Sequence, residues 1–240
     1  MASKALYFSV VVLVLSLFSS WGQDLRSDLR KIQEVRSQDK WRKMQVKYTS
    51  FETHSSSEAE DTEEATIMEK GIHSYYLDNR MSTSLFIKGK SLVIDKEDQV
   101  IYLMQQKIVM DLLANVQPDS LLKLCSAINY LGKSENLHTY ELLFSSSMME
   151  FEKVIMVLDM GKLYVKEAVL YYSKSMPKLL EDKEVKWMKP RLKITYHLLP
   201  LTDRDKEKIS FDHYLLLKDG KWEARSPYHN YKIIDQTAKP

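Results

Sequence analysis

Leu85-Phe86-Ile87-Lys88-Gly89-Lys90-Ser91-Leu92-Val93-Ile94-Asp95-Lys96-Glu97-Asp98-Gln99-Val100-Ile101-Tyr102-Leu103 is the stretch that decides the fold. Apolar side chains alternate with their neighbours at Leu85 and Ile87, at Leu92 and Ile94, and at Ile101 and Leu103. The polar turns Lys88-Gly89-Lys90 and Asp95-Lys96-Glu97-Asp98 separate the three runs. Period-two alternation is the mark of a strand with one buried face. Short strands joined by tight polar turns make an antiparallel meander.

The same reading extends in both directions. Towards the N-terminus, Ile67 and Ile72 sit in one strand that Tyr75 and Leu77 continue, and Met44, Val46 and Tyr48 alternate in an earlier one. Between them, Ser55–Glu64 is acidic and reads as a solvated loop. Towards the C-terminus, Tyr140, Leu142 and Phe144 alternate, and Val154, Met156 and Leu158 lead into Asp159-Met160-Gly161. Leu163, Val165, Val169 and Tyr171 follow, then a polar, Pro-flanked stretch over 174–190. Leu192, Ile194, Tyr196 and Leu198 form the cleanest strand of the chain. Residues 200–210 read as a charged loop. Leu215 and Leu217 precede the turn Lys218-Asp219-Gly220-Lys221, Trp222 follows it, and Tyr231, Ile233 and Ile234 close the fold. Gly89, Gly132, Gly161 and Gly220 fall in expected hairpin turns, where glycine supplies positive φ.

Two segments change period. Leu25, Leu29, Ile32 and Val35 make one apolar stripe, so 24–43 is expected to be an amphipathic helix. Over 107–131, Ile108, Val109, Leu112 and Leu113, and then Leu121, Leu122 and Cys125, are also at helical spacing. Pro118 and Asp119 suit a first helical turn, and the joint falls near 115–117. The expected class is α+β and mostly β. A curled antiparallel sheet of about nine to eleven strands forms a half-open barrel, covered by the N-terminal helix and the central helical insert. A sheet curled in this way has a concave apolar face that suits an apolar ligand.

The chain opens with Met1-Ala2-Ser3-Lys4, the apolar run Ala5–Phe18, and Ser19-Ser20-Trp21-Gly22. This is the charged, apolar and small-residue order of a secretory signal peptide. The run is shorter than the ~20 residues that cross a bilayer. Residues 1–22 are therefore expected to be cleaved, leaving 23–240 as a single domain with no stable transmembrane anchor. An exported protein of this kind sits in the periplasm or is fully secreted. Losing Lys4 leaves 34 basic against 33 acidic residues, a net charge of about +1. That balance disfavours nucleic acid as a partner, because phosphate binding needs a basic excess on one face. The single cysteine, Cys125, allows no internal disulfide and is expected on a buried helix face.

His54, His73, His138, His197, His213 and His229 are scattered, with none of the spacings that hold zinc. His138-Thr139-Tyr140-Glu141 is too short to define a site. The chain has no Gly-x-Ser-x-Gly elbow and no phosphate-cradling glycine loop. No enzyme, cofactor or metal is expected, and a secreted hydrolase is the weakest of three readings. A second reading is a protein-binding module for envelope or secretion assembly with a filled core, anchored through Trp187, Trp222, Tyr228 and Tyr231. The leading one is a non-catalytic, monomeric binder of an acyl chain, lipid or lipoprotein.

The order of elements resembles the outer-membrane lipoprotein carrier superfamily, the LolA/LolB-like fold. The resemblance is carried by the leading signal, the helix Asp24–Lys43 and the strand Gln45–Phe51, followed by Met68-Glu69-Lys70-Gly71-Ile72-His73-Ser74-Tyr75-Tyr76. The hairpin from Ser91-Leu92-Val93-Ile94-Asp95 to Val100-Ile101-Tyr102-Leu103 and the helical insert complete it. The resemblance implies an acyl chain lying between sheet and lid helices, where each buried CH₂ contributes roughly 0.8 kcal/mol. It implies lipid or an acylated protein as partner, together with envelope proteins. The implied cavity residues are Leu25, Leu29, Ile32, Tyr75, Leu77, Leu92, Ile94, Leu121, Leu122, Leu142 and Phe144.

Overall fold

The computed structural model describes residues 25–71, 74–105, 118–145, 150–179 and 184–237. Helix α1 spans 25–37. Six strands follow: β1 (Arg42–Phe51), β2 (Asp61–Lys70), β3 (Ser74–Asn79), β4 (Ser82–Ile87), β5 (Lys90–Asp95) and β6 (Val100–Met104). Then come helix α2 (Pro118–Leu124) and strands β7 (Cys125–Ser134), β8 (Leu137–Phe144), β9 (Phe151–Asp159) and β10 (Tyr164–Tyr172). The remainder is β11 (Met176–Leu179), β12 (Val185–Met188), β13 (Arg191–Leu199), α3 (Asp203–Lys208), a 3-10 turn at Phe211–His213, β14 (Leu215–Lys218), β15 (Lys221–Ala224) and β16 (Lys232–Asp235).

Twelve of these strands form one sheet in the order β16-β6-β5-β4-β3-β2-β1-β13-β10-β9-β8-β7. The order does not return on itself, so the sheet is not closed into a barrel, and the fold is α+β and mostly β as expected. The strand count slightly exceeds the expected nine to eleven. β11–β12 and β14–β15 are separate two-stranded ribbons. Against the antiparallel expectation, β16 runs parallel to β6, with Ile233 opposite Ile101.

Several local expectations are corrected. The first helix stops at 37 rather than 43, and β1 begins at Arg42. Ser37-Gln38-Asp39-Lys40 offers nothing apolar to bury, and from Met44 the alternation with Val46 takes over, both side chains being buried. The strand expected to run from Ile67 through Leu77 is a hairpin, β2–β3, broken at Gly71 with φ +55°. The acidic loop is shorter than expected, because Asp61–Glu64 open β2 as exposed strand residues. The helical insert ends at Leu124, and Cys125 starts a strand instead of sitting on a helix face. Residues 108–117, with the expected joint, lie outside the described residues, as does the expected signal over 1–22. Gly132 is not in a hairpin turn. It stands at a register shift inside β7 with φ +132°, a conformation that an L side chain rarely adopts. The polar stretch 174–190 holds the β11–β12 ribbon, and the charged loop 200–210 holds α3.

The contacts divide into two compact units: residues 1–35, 50–60 and 116–194, and residues 36–49, 61–115 and 195–240. In the first, β7, β8, β9 and β10 form a continuous meander. Its register aligns Tyr130, Tyr140, Met156 and Ala168 in one row, and Ile128, Leu142, Val154 and Leu170 in the next. All but Tyr130 and Ile128 are buried, which makes one apolar sheet face.

In the second, Met68, Tyr76, Leu85, Leu92, Ile94, Ile101, Leu103, Tyr214 and Leu215 form one buried cluster. Trp222, Tyr228, Tyr231 and Ile233 pack against it from the C-terminal segment. Arg36 donates two hydrogen bonds to the buried Glu69, from Nε at 3.0 Å and from the second nitrogen at 2.5 Å. A fork of this kind suits a buried carboxylate because both oxygens are satisfied at once.

Candidate functional site

The face of α1 that carries Leu25, Leu29 and Ile32 also carries an acid. Asp28 lies within the stripe, one helical turn from Leu25 and from Ile32, and is buried with them at 5% exposure. A carboxylate removed from water needs hydrogen-bond donors. β8 supplies them. Tyr140 Oη donates to Asp28 Oδ2 at 2.9 Å, and His138 Nδ1 lies 2.6 Å from the same oxygen. Lys31 Nζ stands 3.6 Å from Oδ1. His138 and Tyr140 are two residues apart on a strand, so they share one face, and Leu142 and Phe144 continue it. This face of β8 therefore grades from polar to apolar along its length. α1 is fixed to the polar end.

Aromatic contacts frame the same cluster. The Tyr130 ring lies 5.2 Å from Tyr140 and 6.1 Å from His138, centre to centre. α2 lies beside α1: Arg26 Nε is 3.1 Å and Arg30 3.3 Å from the Asp119 carboxylate. These pairs are about half exposed, so each is worth roughly 0–1 kcal/mol. Leu121 and Leu122 of α2 are buried. Cys125, directly after α2, donates its thiol to Leu121 O at 3.4 Å, and burial pushes that thiol up to about 11. It is therefore protonated at neutral pH and a poor nucleophile.

The residues singled out from the sequence fall in both units. Leu25, Leu29, Ile32, Leu121, Leu122, Leu142 and Phe144 are buried in the first. Leu92 and Ile94 are in the second, inside the cluster with Tyr214 and Leu215. Leu77 is buried and Tyr75 half-buried in that unit. Of the aromatic anchors, Trp187 is 67% exposed, whereas Trp222, Tyr228 and Tyr231 are half-buried against the second unit's core. No sequence motif points to Asp28, and His138-Thr139-Tyr140-Glu141 is too short on its own to define a site. A carboxylate set inside an otherwise apolar helical stripe is the signal that finds Asp28.

What this arrangement can do is hold and release. The Asp28 carboxylate orients the His138 ring, but no group of three or more His, Cys, Asp or Glu among the described residues is placed to hold a metal ion. No described helix is long and apolar enough to cross a membrane.

No family model and no curated protein matches the chain. Among solved structures it is similar to a LolA superfamily protein from Nitrosomonas europaea, at 13% identity and a TM-score of 0.33, over 78% of this chain and 97% of that one. It is also similar to an outer-membrane lipoprotein-sorting protein domain from Vibrio parahaemolyticus, at 10% identity and a TM-score of 0.30, over 75% and 95%. A third is the Pseudomonas aeruginosa MucA/MucB complex, at 11% identity and a TM-score of 0.35, over 76% and 60%.

Proposed function

We propose that this is an exported, non-catalytic binding protein of the cell envelope, freed of residues 1–22, that takes an acyl chain, lipid or acylated protein between the sheet face of its first unit and helices α1 and α2. The observation that supports this reading is the way α1 is held. Leu25, Leu29 and Ile32 are buried on the face that holds Asp28, whose polar hold on β8 is confined to His138 and Tyr140. An amphipathic helix that buries Leu25, Leu29 and Ile32 can exchange that apolar contact for a hydrocarbon chain of similar chemistry. Seven of the eleven residues that the family resemblance implies for a cavity belong to this unit. Leu92 and Ile94 belong instead to the packed cluster of the second unit, and the proposed site omits them.

The test is to express the full chain in a bacterial periplasm and analyse the purified protein by native mass spectrometry and lipid extraction. A phospholipid, fatty acid or acylated peptide bound near one per chain is expected. Uptake of a fluorescent fatty acid should be faster in Asp28→Asn, where the hold on α1 is weakened. A clean apo mass, with no uptake by either protein, overturns the reading.

A further inference from the structure

The β11–β12 ribbon presents an apolar face with no described strand or helix over it. Pairing sets Pro177 opposite Trp187 on one face, which Val185 shares, with Met176 opposite Met188 and Lys178 opposite Lys186 on the other. The second face is turned to the protein at Met188 and Lys178, while Met176 and Lys186 on it stay exposed. Met188 is buried, and Lys178 binds Glu52 and, at 2.7 Å, Glu60. The first face is turned to solvent. Trp187 is 67% and Val185 54% exposed, and Pro177 is exposed beside them.

Charge and area both bear on what covers this face. Residues 174–191 hold six basic side chains (Lys174, Lys178, Lys183, Lys186, Lys189, Arg191) and three acidic ones (Glu181, Asp182, Glu184), an excess of +3 in a chain whose whole charge is +2. Lys178 and Lys189 are engaged with Glu52, Glu60 and Glu152, while Lys174, two residues before β11, and Lys186, on the ribbon's second face, are exposed. The exposed apolar area is on the order of a few hundred Å², well below the ~800 Å² per partner of a standard protein interface. A small apolar face bearing one exposed tryptophan, flanked by lysines, matches a bilayer boundary. There an indole lies at headgroup level, shallow apolar side chains enter the acyl edge, and lysines meet anionic headgroups.

We infer that the β11–β12 ribbon docks this protein reversibly on an anionic lipid surface, through Trp187, Val185 and Pro177 with Lys174 and Lys186 at the headgroups. Docking uses a face of the first unit other than the one under α1, and it stands whether or not an acyl chain binds there.

The experiment is flotation of the full-length protein, expressed and purified from a bacterial periplasm, with vesicles of phosphatidylglycerol mixed with phosphatidylcholine or of phosphatidylcholine alone. The protein should float with the phosphatidylglycerol vesicles, less so at high salt, with quenching of tryptophan emission by brominated acyl chains. Trp187→Glu and Val185→Glu, both at exposed positions that leave the core intact, should each lower the floated fraction at least about tenfold. Lys174→Glu with Lys186→Glu should abolish the preference for phosphatidylglycerol. Asp28→Asn should float as wild type, which separates docking from acyl-chain binding. Failure of the wild type to float, or unchanged flotation of Trp187→Glu, overturns the inference. So does a dimer in solution that Trp187→Glu dissociates, because the face would then belong to a second copy.

Discussion

The two units cover similar sheet faces by opposite means. In the second, Leu92, Ile94, Ile101 and Leu103 are covered by Tyr214, Leu215 and the aromatic side chains of the C-terminal segment. Tyr76 and Tyr214 share a hydrogen bond there, and burial raises both hydroxyls well above the ordinary tyrosine range. In the first, the amphipathic helix α1 buries Leu25, Leu29 and Ile32 and is held at Asp28 by Tyr140 and His138. A cover of interlocked aromatic rings has one good arrangement, because each ring fills space that another defines. A helix on a smooth apolar face has a sliding contact, and the polar hold fixes its position. The second unit's cover is interlocked aromatic packing, whereas α1 in the first is held at Asp28 by Tyr140 and His138.

The comparison breaks if the second unit tolerates loss of its cover. Tyr214→Ala should cost about 3–5 kcal/mol, read as a lowered denaturation midpoint, because it leaves a large cavity beside Tyr76 and Leu85. A smaller cost would mean that the C-terminal segment is ornamental. In the first unit, Asp28→Ala should cost about 2–3 kcal/mol by leaving Tyr140 and His138 without their acceptor. Its signature is local: amide exchange should rise along α1 more than in β8. Tyr140→Phe should cost less, and the double variant less than the sum, since both changes break the same contact.

Acid sharpens the contrast. Asp205 is buried, which pushes its carboxyl up, but hydrogen bonds from Thr202 and Lys43 outweigh this and hold it at about 2. Its folded value thus lies below the unfolded one, so its contribution is complete above about pH 4 and is lost as pH falls towards 2. Stability of the wild type should drop over that window, and Asp205→Asn should flatten the drop while lowering stability at neutral pH by about 1–2 kcal/mol. The smallest effect is expected at the surface: Asp119→Ala, which frees Arg26 and Arg30, should change stability by less than about 1 kcal/mol.

Much of the meander was legible because period two is a local signal with a physical cause. Leu85, Leu92, Ile94, Ile101 and Leu103 are all buried, as their spacing requires. What escaped was either non-local or weakly patterned. Nothing in Lys232–Asp235 announces that β16 lies parallel to β6, since a strand's partner is chosen by the rest of the fold. The start of β7 reads as helix because Leu121, Leu122 and Cys125 keep helical spacing, while Ser126, Asn129 and Gly132 have little strand preference of their own. α3 has no apolar stripe, yet its start was written in Thr202-Asp203-Arg204-Asp205, where Thr202 and Asp205 cap each other. The candidate site was half legible. The stripe of α1 could be read, but the pairing of Asp28 with His138 and Tyr140 spans 110 and 112 residues of chain and could not.

β7 ends the twelve-stranded sheet, and its backbone edge is a template to which a foreign strand can add. Two register shifts interrupt it, between Cys125 and Ala127 and between Tyr130 and Gly132. Each leaves a residue out of step and bends the strand, so the straight run that an incoming chain can match is only a few residues long. The glycine that looked like a turn residue therefore protects the protein from its own copies. Filling Gly132, at φ +132°, with a side chain would first be felt in how much protein stays in solution.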